Sequence, residues 1–372
     1  MSASAVPEPD LRVIDVAFAA SVASAAGALF ILANWCCVRS SRRVFFLRLI
    51  VFLSLANLLT AASYIMSFAE WRVAGGLTGG ARQRYCIAQA FVMLVFEPAS
   101  VLWTVCIAVT LHCQVVARRS SPERLELWFH LVSWGVPTAI ALLLLLAHQL
   151  GPADAHHTAW CWIAADGPRP LPVNVSNAAS SDRAYGAEGR AGAPRTRWLQ
   201  ICVFYLPLAA AFAFNLVTYL RVGRAFRQMA AAGTVDAAKE RMVQMRLRLY
   251  LLVFVAVWAA PLAHRTLELF GRDSAWLRVL HTATQCSMGL LNCLVYGCNE
   301  ATLRPYRNAM SGIRCTLCAG LQLSRLQPRR SPLRGRFERG SALDASLLPP
   351  PSSSGDRAAA AAEAAAEVVQ PV

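Results

Sequence analysis

Residues 44–68 read VFFLRLIVFLSLANLLTAASYIMSF, an apolar run that contains a single charged side chain, Arg48. A helix needs about 20 apolar residues to cross a hydrocarbon core of roughly 30 Å. This run therefore predicts a membrane-spanning helix. Six other segments meet or approach the same length. The seven predicted spans are 13–38, 44–68, 85–116, 127–150, 198–220, 247–270 and 276–298.

The composition of the whole chain agrees with a membrane protein. Apolar residues make up 56% and charged residues 15% of the 372 residues, and the mean hydropathy is +0.43. Soluble domains carry about 25% charged residues, and disordered chains need low hydrophobicity, so both classes are excluded. The net charge of +15 does not indicate nucleic acid as a partner, because repeated apolar runs do not occur in nucleic-acid-binding folds. The single lysine, Lys239, lies in a polar stretch, which excludes a retinal Schiff base.

The seventh span is polar, since it contains Arg278, His281 and Gln285. Such a span must face the bundle interior or a water-filled cavity rather than lipid. The alternative is six spans and a re-entrant segment.

The arginines predict the orientation of the spans. They concentrate in the short loops after spans one, three, five and seven, as cytoplasmic loops do. Residues 1–12 are therefore predicted outside, before an uncleaved first span, and the C-terminus inside. The glycosylation sequon Asn174-Val175-Ser176 lies in loop 151–197, on the predicted outer face. Cys86 and Cys161 are the only cysteines predicted there, either bonded to each other or as two free thiols.

Residues 300–319 carry apolar side chains at 3–4–3–4 spacing with arginines between them. This pattern predicts an amphipathic helix on the inner leaflet, in contact with anionic lipid. Cys315 and Cys318 are candidates for palmitoylation, and the alternative is a plain basic tail with free thiols. Residues 320–372 are of low complexity and are predicted to form a disordered cytoplasmic tail.

Four blocks of sequence carry a family resemblance. They are FLSLANLLTAASY at 52–64, WFHLVSWGVP at 128–137, AWCWI at 159–163 and LNCLVYGCN at 291–299. The chain resembles G-protein-coupled receptors of the cyclic-AMP-receptor-like group. The resemblance implies an all-α, seven-transmembrane helix bundle in the cell membrane that is not an enzyme. It also implies an extracellular ligand, a heterotrimeric G protein as partner, and a disulfide between Cys86 and Cys161.

The chain departs from related receptors at two positions. Span three ends HCQVVAR at 112–118, without the Asp-Arg-Tyr triplet of rhodopsin-like receptors, so that activation switch is not carried over. Span two has Asn57 where relatives often place an aspartate, which weakens the case for a sodium-type site.

Ionisable residues inside the spans are candidates for ligand contact or switching. Glu97 precedes Pro98 about twelve residues into span three, roughly 18 Å along the helix, where an ionisable group is expensive and usually functional. The alternative for Glu97 is a neutral acid bonded to a neighbouring helix. His264, Arg265 and Glu268 share one flank of span six.

These three residues form either a ligand vestibule, together with Arg278 and His281, or a solvated interfacial cluster. Trp258, in Trp258-Ala-Ala-Pro261, loosely resembles a Trp-x-Pro kink and is a further candidate switch.

The apolar residues Phe226, Met229, Met242 and Met245 lie between basic residues in 221–248, which predicts a docking surface for a G-protein helix. The candidate residues of this surface are Arg118, Arg224, Met242, Met245 and Arg246. Ordinary positive-inside topology would explain the charges but not the apolar spacing. We expect spans five and six to continue as helix beyond the membrane, with a break near Gly233.

Two other functions compete with a receptor. A transporter should show repeat symmetry and broken helices in matching halves, and the sequence shows neither clearly. A membrane zinc hydrolase needs histidines at one depth, whereas the histidines here are scattered between both faces. No cofactor or metal site is predicted.

Overall fold

The computed structural model describes residues 11–37, 45–73, 77, 79–118, 122–152, 160–164, 198–233, 237–269, 272 and 274–297. For residues 79, 237–248, 250, 251, 268, 269, 296 and 297 it describes the backbone only.

The described chain is a bundle of helices with one short hairpin. The helices are α1 Leu11–Cys37, α2 Phe45–Phe68, α3 Gly79–Leu111, α4 Glu126–His130, α5 Val136–Leu146, α6 Leu206–Ala231, α7 Ala237–Leu269, α8 Ala275–Cys286 and α9 Met288–Asn292. Shorter turns adjoin them: π-helical Ala69–Val73, His112–Val116, Leu131–Gly135, Ile201–Tyr205 and Cys293–Gly297, and 3-10-helical Pro122–Leu125.

Among the described residues, five helical segments are long and apolar enough to cross a membrane. They are Leu11–Cys37, Phe45–Val73, Gly80–Val116, Pro122–Leu146 and Trp198–Ala231. Within α7 the apolar part is shorter, Leu252–Leu267. The predicted seventh span is interrupted, since α8 ends at Cys286 and Ser287 separates it from α9.

Two of the π-helical turns precede prolines. Leu131–Gly135 is followed by Pro137, and Ile201–Tyr205 is followed by Pro207. Proline has no N–H to donate and its ring crowds the carbonyl four residues earlier. A wider turn before the proline relieves this conflict without ending the helix.

The fourth span ends earlier than predicted. It was expected to reach residue 150, but the helix ends at Leu146. His148 adopts a left-handed φ of 54° and donates its N–H to the Leu145 carbonyl, while Gln149 donates to the Leu144 carbonyl. This pair of bonds is a Schellman motif, which closes a helix. The chain then leaves the helix and enters a strand at Leu150.

The strands β1 (Leu150–Pro152) and β2 (Cys161–Ile163) form an antiparallel hairpin. The bundle is all-helical as predicted, and the hairpin is an addition that the sequence did not predict. The end of the bundle that carries these strands is called the hairpin end below.

The helices on either side of Gly233 extend as expected. α6 runs to Ala231, Gly233 has a positive φ of 71°, and α7 begins at Ala237. Glycine suits this turn because it has no Cβ to clash in the left-handed region.

α1 packs closely on α9 through small residues. The Gly289 N–H donates to Ser24 Oγ at 2.8 Å. A Cβ on Gly289 would lie 2.6 Å from the Ser24 carbonyl oxygen, and one on Gly27 would lie 3.0 Å from the Gly289 oxygen. This contact fixes the last described helix against the first.

Candidate functional site

The hairpin forms a buried lid on one end of the bundle. Trp160, Trp162 and Ile163 are all buried, although they belong to a loop in the sequence. Cys161 is bonded to Cys86 near the start of α3, so the disulfide that the family resemblance implied is present.

A glutamine on α3 also holds the lid. Gln89 accepts a hydrogen bond from the Cys161 N–H at 3.1 Å and donates to the Ser63 carbonyl at 2.7 Å. On the other side of the lid, Gln200 donates to the Ile163 carbonyl. The lid is therefore tied to α2, α3 and the segment that leads into α6.

Aromatic contacts connect the lid to the helices beneath it. Trp160 lies edge-on to Tyr64 of α2 and to His281 of α8, with centroid distances of 5.9 Å and 6.4 Å. The Arg265 guanidinium of α7 lies over the Trp162 ring at 5.8 Å. We call Tyr64, Glu97, Trp160, His264, Arg265, His281 and Gln285 the capped cluster.

The two histidines of the capped cluster join α7 to α8. His264 Nδ1 lies 3.0 Å from His281 Nδ1, and His281 Nε2 lies 2.6 Å from Gln285 Oε1. The Gln285 oxygen only accepts, so His281 carries its hydrogen on Nε2 and accepts at Nδ1. His264 Nδ1 is then the donor of the bond between the helices.

Glu97 lies inside the bundle, 3% exposed. Its Oε1 atom is buried and contacts no hydrogen-bond donor among the described residues. The predicted alternative, an acid bonded to a neighbouring helix, is therefore not seen for this oxygen. Glu97 interacts electrostatically with Arg265 of α7 and with Tyr64 of α2. A buried acid thus links α3 to two other helices of the cluster.

The structure brings together four of the predicted ligand or switch residues: Glu97, His264, Arg265 and His281. Arg278 is buried one turn before His281 on α8. Glu97, His264 and His281 are buried beneath the lid, so the predicted alternative of a solvated interfacial cluster does not describe His264, whereas Arg265 is half-buried. For Glu268 only the backbone is described.

Trp258 lies deeper, in a second polar layer. It is fully buried and contacts Phe204 at 6.0 Å between ring centroids. Near this depth Ser100 donates to Asn57 Oδ1 at 2.7 Å and lies 2.8 Å from Met288 Sδ. The position at which relatives often carry an aspartate thus holds a neutral, hydrogen-bonded amide.

The residues proposed for G-protein docking lie at the opposite end. Arg118 and Arg224 are exposed there, and Arg118 has a positive φ of 50°. The side chains of Met242, Met245 and Arg246 lie outside the described part of the structure.

Two expectations for neighbouring residues were wrong. Phe226 and Met229 were expected on the docking surface but are buried in the core beside α3, because that side of α6 faces the bundle. Arg48, the charged residue of the second span, pairs with Glu126 at 3.2 Å.

Several predictions fall on residues that the structure does not describe. They are the glycosylation site Asn174, the palmitoylation candidates Cys315 and Cys318, the amphipathic segment 300–319 and the tail 320–372.

The sequence did not single out Tyr64, Gln89 or Gln285 as site residues. Tyr64 and Gln89 stand alone in apolar helices, where one polar residue has little predictive weight. A better signal was available for Gln285, which is four residues after His281 and so on the same helix face.

Within the described ranges, no group of three or more His, Cys, Asp or Glu side chains could hold a metal ion. The contact between His264 and His281 therefore does not indicate a zinc site in the described part of the chain.

Comparisons with known proteins agree with this architecture. Residues 8–168 match the family model of the slime mold cyclic AMP receptor. The chain is 29% identical over 295 residues to the G-protein coupled receptor 1 of Arabidopsis thaliana, covering 77% of each protein. It is 24% identical over 294 residues to the cyclic AMP receptor-like protein A of Dictyostelium discoideum, covering 78% of this chain and 65% of that protein.

The chain is similar to G-protein-coupled receptors of the cyclic-AMP-receptor-like group. An animal receptor that the chain resembles is the G-protein coupled receptor 157 of Homo sapiens. It is 36% identical over 134 residues, which cover 35% of this chain and 37% of that receptor.

The fold is that of rhodopsin. The structure matches squid rhodopsin with a TM-score of 0.55 at 13% identity, covering 84% of this chain and 89% of the other. The similar receptors and the apolar helices indicate a multi-pass protein of the cell membrane. These matches do not favour a transporter.

Proposed function

We propose that this receptor crosses the membrane seven times and transduces an extracellular ligand signal to a heterotrimeric G protein. The hairpin end faces outward, with the N-terminus, and the C-terminus lies in the cytoplasm. The observation that carries the proposal is the disulfide-tied lid over charged residues of α3 and α7. A transmembrane receptor needs such a site at one end and a mobile helix that reaches the other.

Exposed tryptophans support this placement in the membrane. Trp198 and Trp276 lie at the hairpin end and Trp128 at the opposite end, each more than 60% exposed. Tryptophan concentrates at both membrane–water interfaces. The three side chains therefore mark both edges of the bilayer.

The capped cluster is the proposed ligand site. Arg265 interacts electrostatically with the buried acid Glu97, and the bond from His264 to His281 holds α7 against α8. A ligand that contacts these residues would change the contact between the two helices. A ligand can shift a conformational equilibrium only if it binds one conformation more tightly than the other.

α7 provides the mechanical link to the cytoplasm. It has 33 residues, about 50 Å at 1.5 Å per residue, and contains Pro261 one turn before Arg265. Proline weakens the helix ladder, so α7 can bend there. Movement at His264 would shift the end near Ala237.

The proposed G-protein surface lies at that end and comprises Arg118, Arg224, Met242, Met245 and Arg246. The membrane lipid is a further proposed partner, through the segment 300–319 and acylation of Cys315 and Cys318.

An agonist-independent second-messenger assay tests the proposal. The full-length receptor is expressed with G proteins of each class, and its surface level is measured in the same cells. We expect one class to respond above cells that lack the receptor. If the receptor reaches the surface and no class responds under any condition, the G-protein function is wrong.

A further inference from the structure

A small cavity lies below the capped cluster, between α3, α7 and α9. Its volume is about 20 Å³, and it borders the buried ring of Trp258. The lining residues are Thr104, Val253, Phe254, Val257, Trp258, Met288, Asn292 and Val295.

Two residues at this cavity carry complementary hydrogen-bonding groups, a donor without an acceptor and an oxygen that can accept. Trp258 Nε1 is buried and has no acceptor among the described residues. An indole N–H can only donate. The Thr104 hydroxyl donates its hydrogen to the Ser100 carbonyl at 3.0 Å, so its oxygen can only accept another bond. Trp258 and Thr104 do not bond each other directly.

We infer that this cavity binds one ordered water molecule that bridges Trp258 to Thr104. A cavity above roughly 10–15 Å³ with two to four polar partners is sufficient for a water. The water accepts from Trp258 Nε1 and donates to Thr104 Oγ1. Its second hydrogen is available to the Asn292 side chain, which lines the same cavity.

The lining favours water over a cation. None of the lining residues is acidic. The indole N–H presents positive partial charge, and the nearby Asn57 oxygen already accepts from Ser100. A sodium ion would have no carboxylate ligand in this lining, whereas a water can accept from Trp258 and donate to Thr104.

The bridge connects α7 to α3 beside the interruption of the last helix at Ser287. Trp258 also packs on Phe204 below the lid. The water therefore fixes the position of the Trp258 ring, and with it the resting position of α7. This inference does not depend on the ligand or on the G protein.

A double-mutant cycle on thermal unfolding tests the bridge in the purified full-length protein. Thr104→Val and Trp258→Phe each remove one partner, and we expect each to lower Tm by roughly 2–4 °C, the equivalent of about 1 kcal/mol. The double variant should lose less than the sum, because either change alone already breaks the bridge. Strictly additive losses, or an unchanged Tm for Thr104→Val, would overturn the inference.

Two matched variants separate the water from other effects of the threonine. Thr104→Ser keeps the hydroxyl and should retain Tm within about 1 °C, well inside the shift expected above. Thr110→Val is the control, since Thr110 is buried on the same helix and donates to the Cys106 carbonyl at 2.9 Å but does not line the cavity. Equal losses for valine at both positions would assign the effect to the backbone hydrogen bond and overturn the water bridge.

The identity of the occupant is tested by exchanging sodium for choline at constant ionic strength. We expect no change in the Tm of the unmodified receptor. A sodium-dependent Tm that Thr104→Val abolishes would show that a cation occupies the cavity instead. In an experimental structure, solvent density about 2.7–3.2 Å from Trp258 Nε1 would confirm the bridge directly.

Discussion

At the scale of single residues, Glu97 is the most informative side chain. Burying a carboxyl group without hydrogen bonds is costly, so such a residue persists where it has a function. Its electrostatic interaction with Arg265 couples α3 to α7, the helix that is proposed to move. We therefore propose that this interaction stabilises the resting state.

We expect Glu97→Gln to raise agonist-independent signalling about fivefold or more, in the range of typical allosteric couplings. The substitution keeps the shape of the side chain and removes the acidic group that interacts electrostatically with Arg265. The readout is second-messenger level normalised to surface expression, with the responsive G-protein class.

Glu70→Gln is the matched control for this prediction. Glu70 is equally buried but pairs with Arg82 at 3.3 Å, away from the capped cluster. Signalling by Glu70→Gln should stay at the level of the unmodified receptor. An unchanged basal signal in Glu97→Gln would mean that the carboxylate does not hold the resting state.

At the scale of elements, the hairpin depends on its covalent tie. The disulfide joins residues 75 positions apart, and removing such a bridge typically costs about 2–5 kcal/mol. Without it, the Gln89 and Gln200 hydrogen bonds and the ring contacts of Trp160 and Trp162 remain to hold the lid.

We expect Cys86→Ser and Cys161→Ser each to reduce surface delivery, measured by labelling of intact cells. Each variant should also expose one new thiol to a membrane-impermeant reagent. Cys202→Ser is the control, because Cys202 is exposed and forms no disulfide. Normal delivery without a newly labelled thiol would contradict this role of the bridge.

The contact of α1 with α9 offers a second prediction at this scale. A Cβ at Gly289 meets backbone and side-chain atoms of Ser24, so Gly289→Ala must push the helices apart. Overpacking of this kind typically costs about 1–3 kcal/mol, and we expect a lower Tm. Gly135→Ala should leave Tm unchanged or slightly raised, because its Cβ would meet no atom within 4 Å. Equal Tm values for the two variants would rule out the tight contact.

The sequence predicts the helices better than it predicts their ends and faces. An apolar run long enough for the bilayer identifies a span, but the end of α5 depends on the left-handed φ of His148, which no apolar pattern encodes. Phe226 was misplaced because the pattern gives a helical period and not the rotation of α6 against α3. Glu97 could be found because an acid in an apolar run stands out.

The bond from His264 to His281 could not be predicted in the same way, since it depends on how α7 and α8 pack. The lid was equally hidden, because Trp160 and Trp162 become a buried strand only through pairing with β1 and the bond to Cys86.

At the scale of the whole molecule, the proposed receptor function first requires a defined orientation in the membrane. The hairpin end and the sequon of loop 151–197 must lie on the same, outer face. We expect Asn174 to be glycosylated, so enzymatic deglycosylation should shift the gel mobility of the intact chain. Asn174→Gln should run at the shifted position without treatment, and Ser176→Thr should keep the modification. An unshifted intact chain would count against both the site and the orientation.

Signalling by the proposed mechanism also requires a cytoplasmic surface that a G protein can recognise. A G-protein helix presents backbone carbonyls with partial negative charge at its C-terminus, so it needs cationic groups and an apolar contact. Positions 242 and 245 lie three apart in α7, where helical residues are neighbours. We expect the double change Met242→Ser and Met245→Ser to lower G-protein activation at least about fivefold, the equivalent of one contact worth 1 kcal/mol, at unchanged surface expression. Changing both methionines to leucine preserves the apolar contact and should preserve signalling. If the serine variant signals like the unmodified receptor, arginines alone recognise the G protein and the methionines are not part of the docking surface.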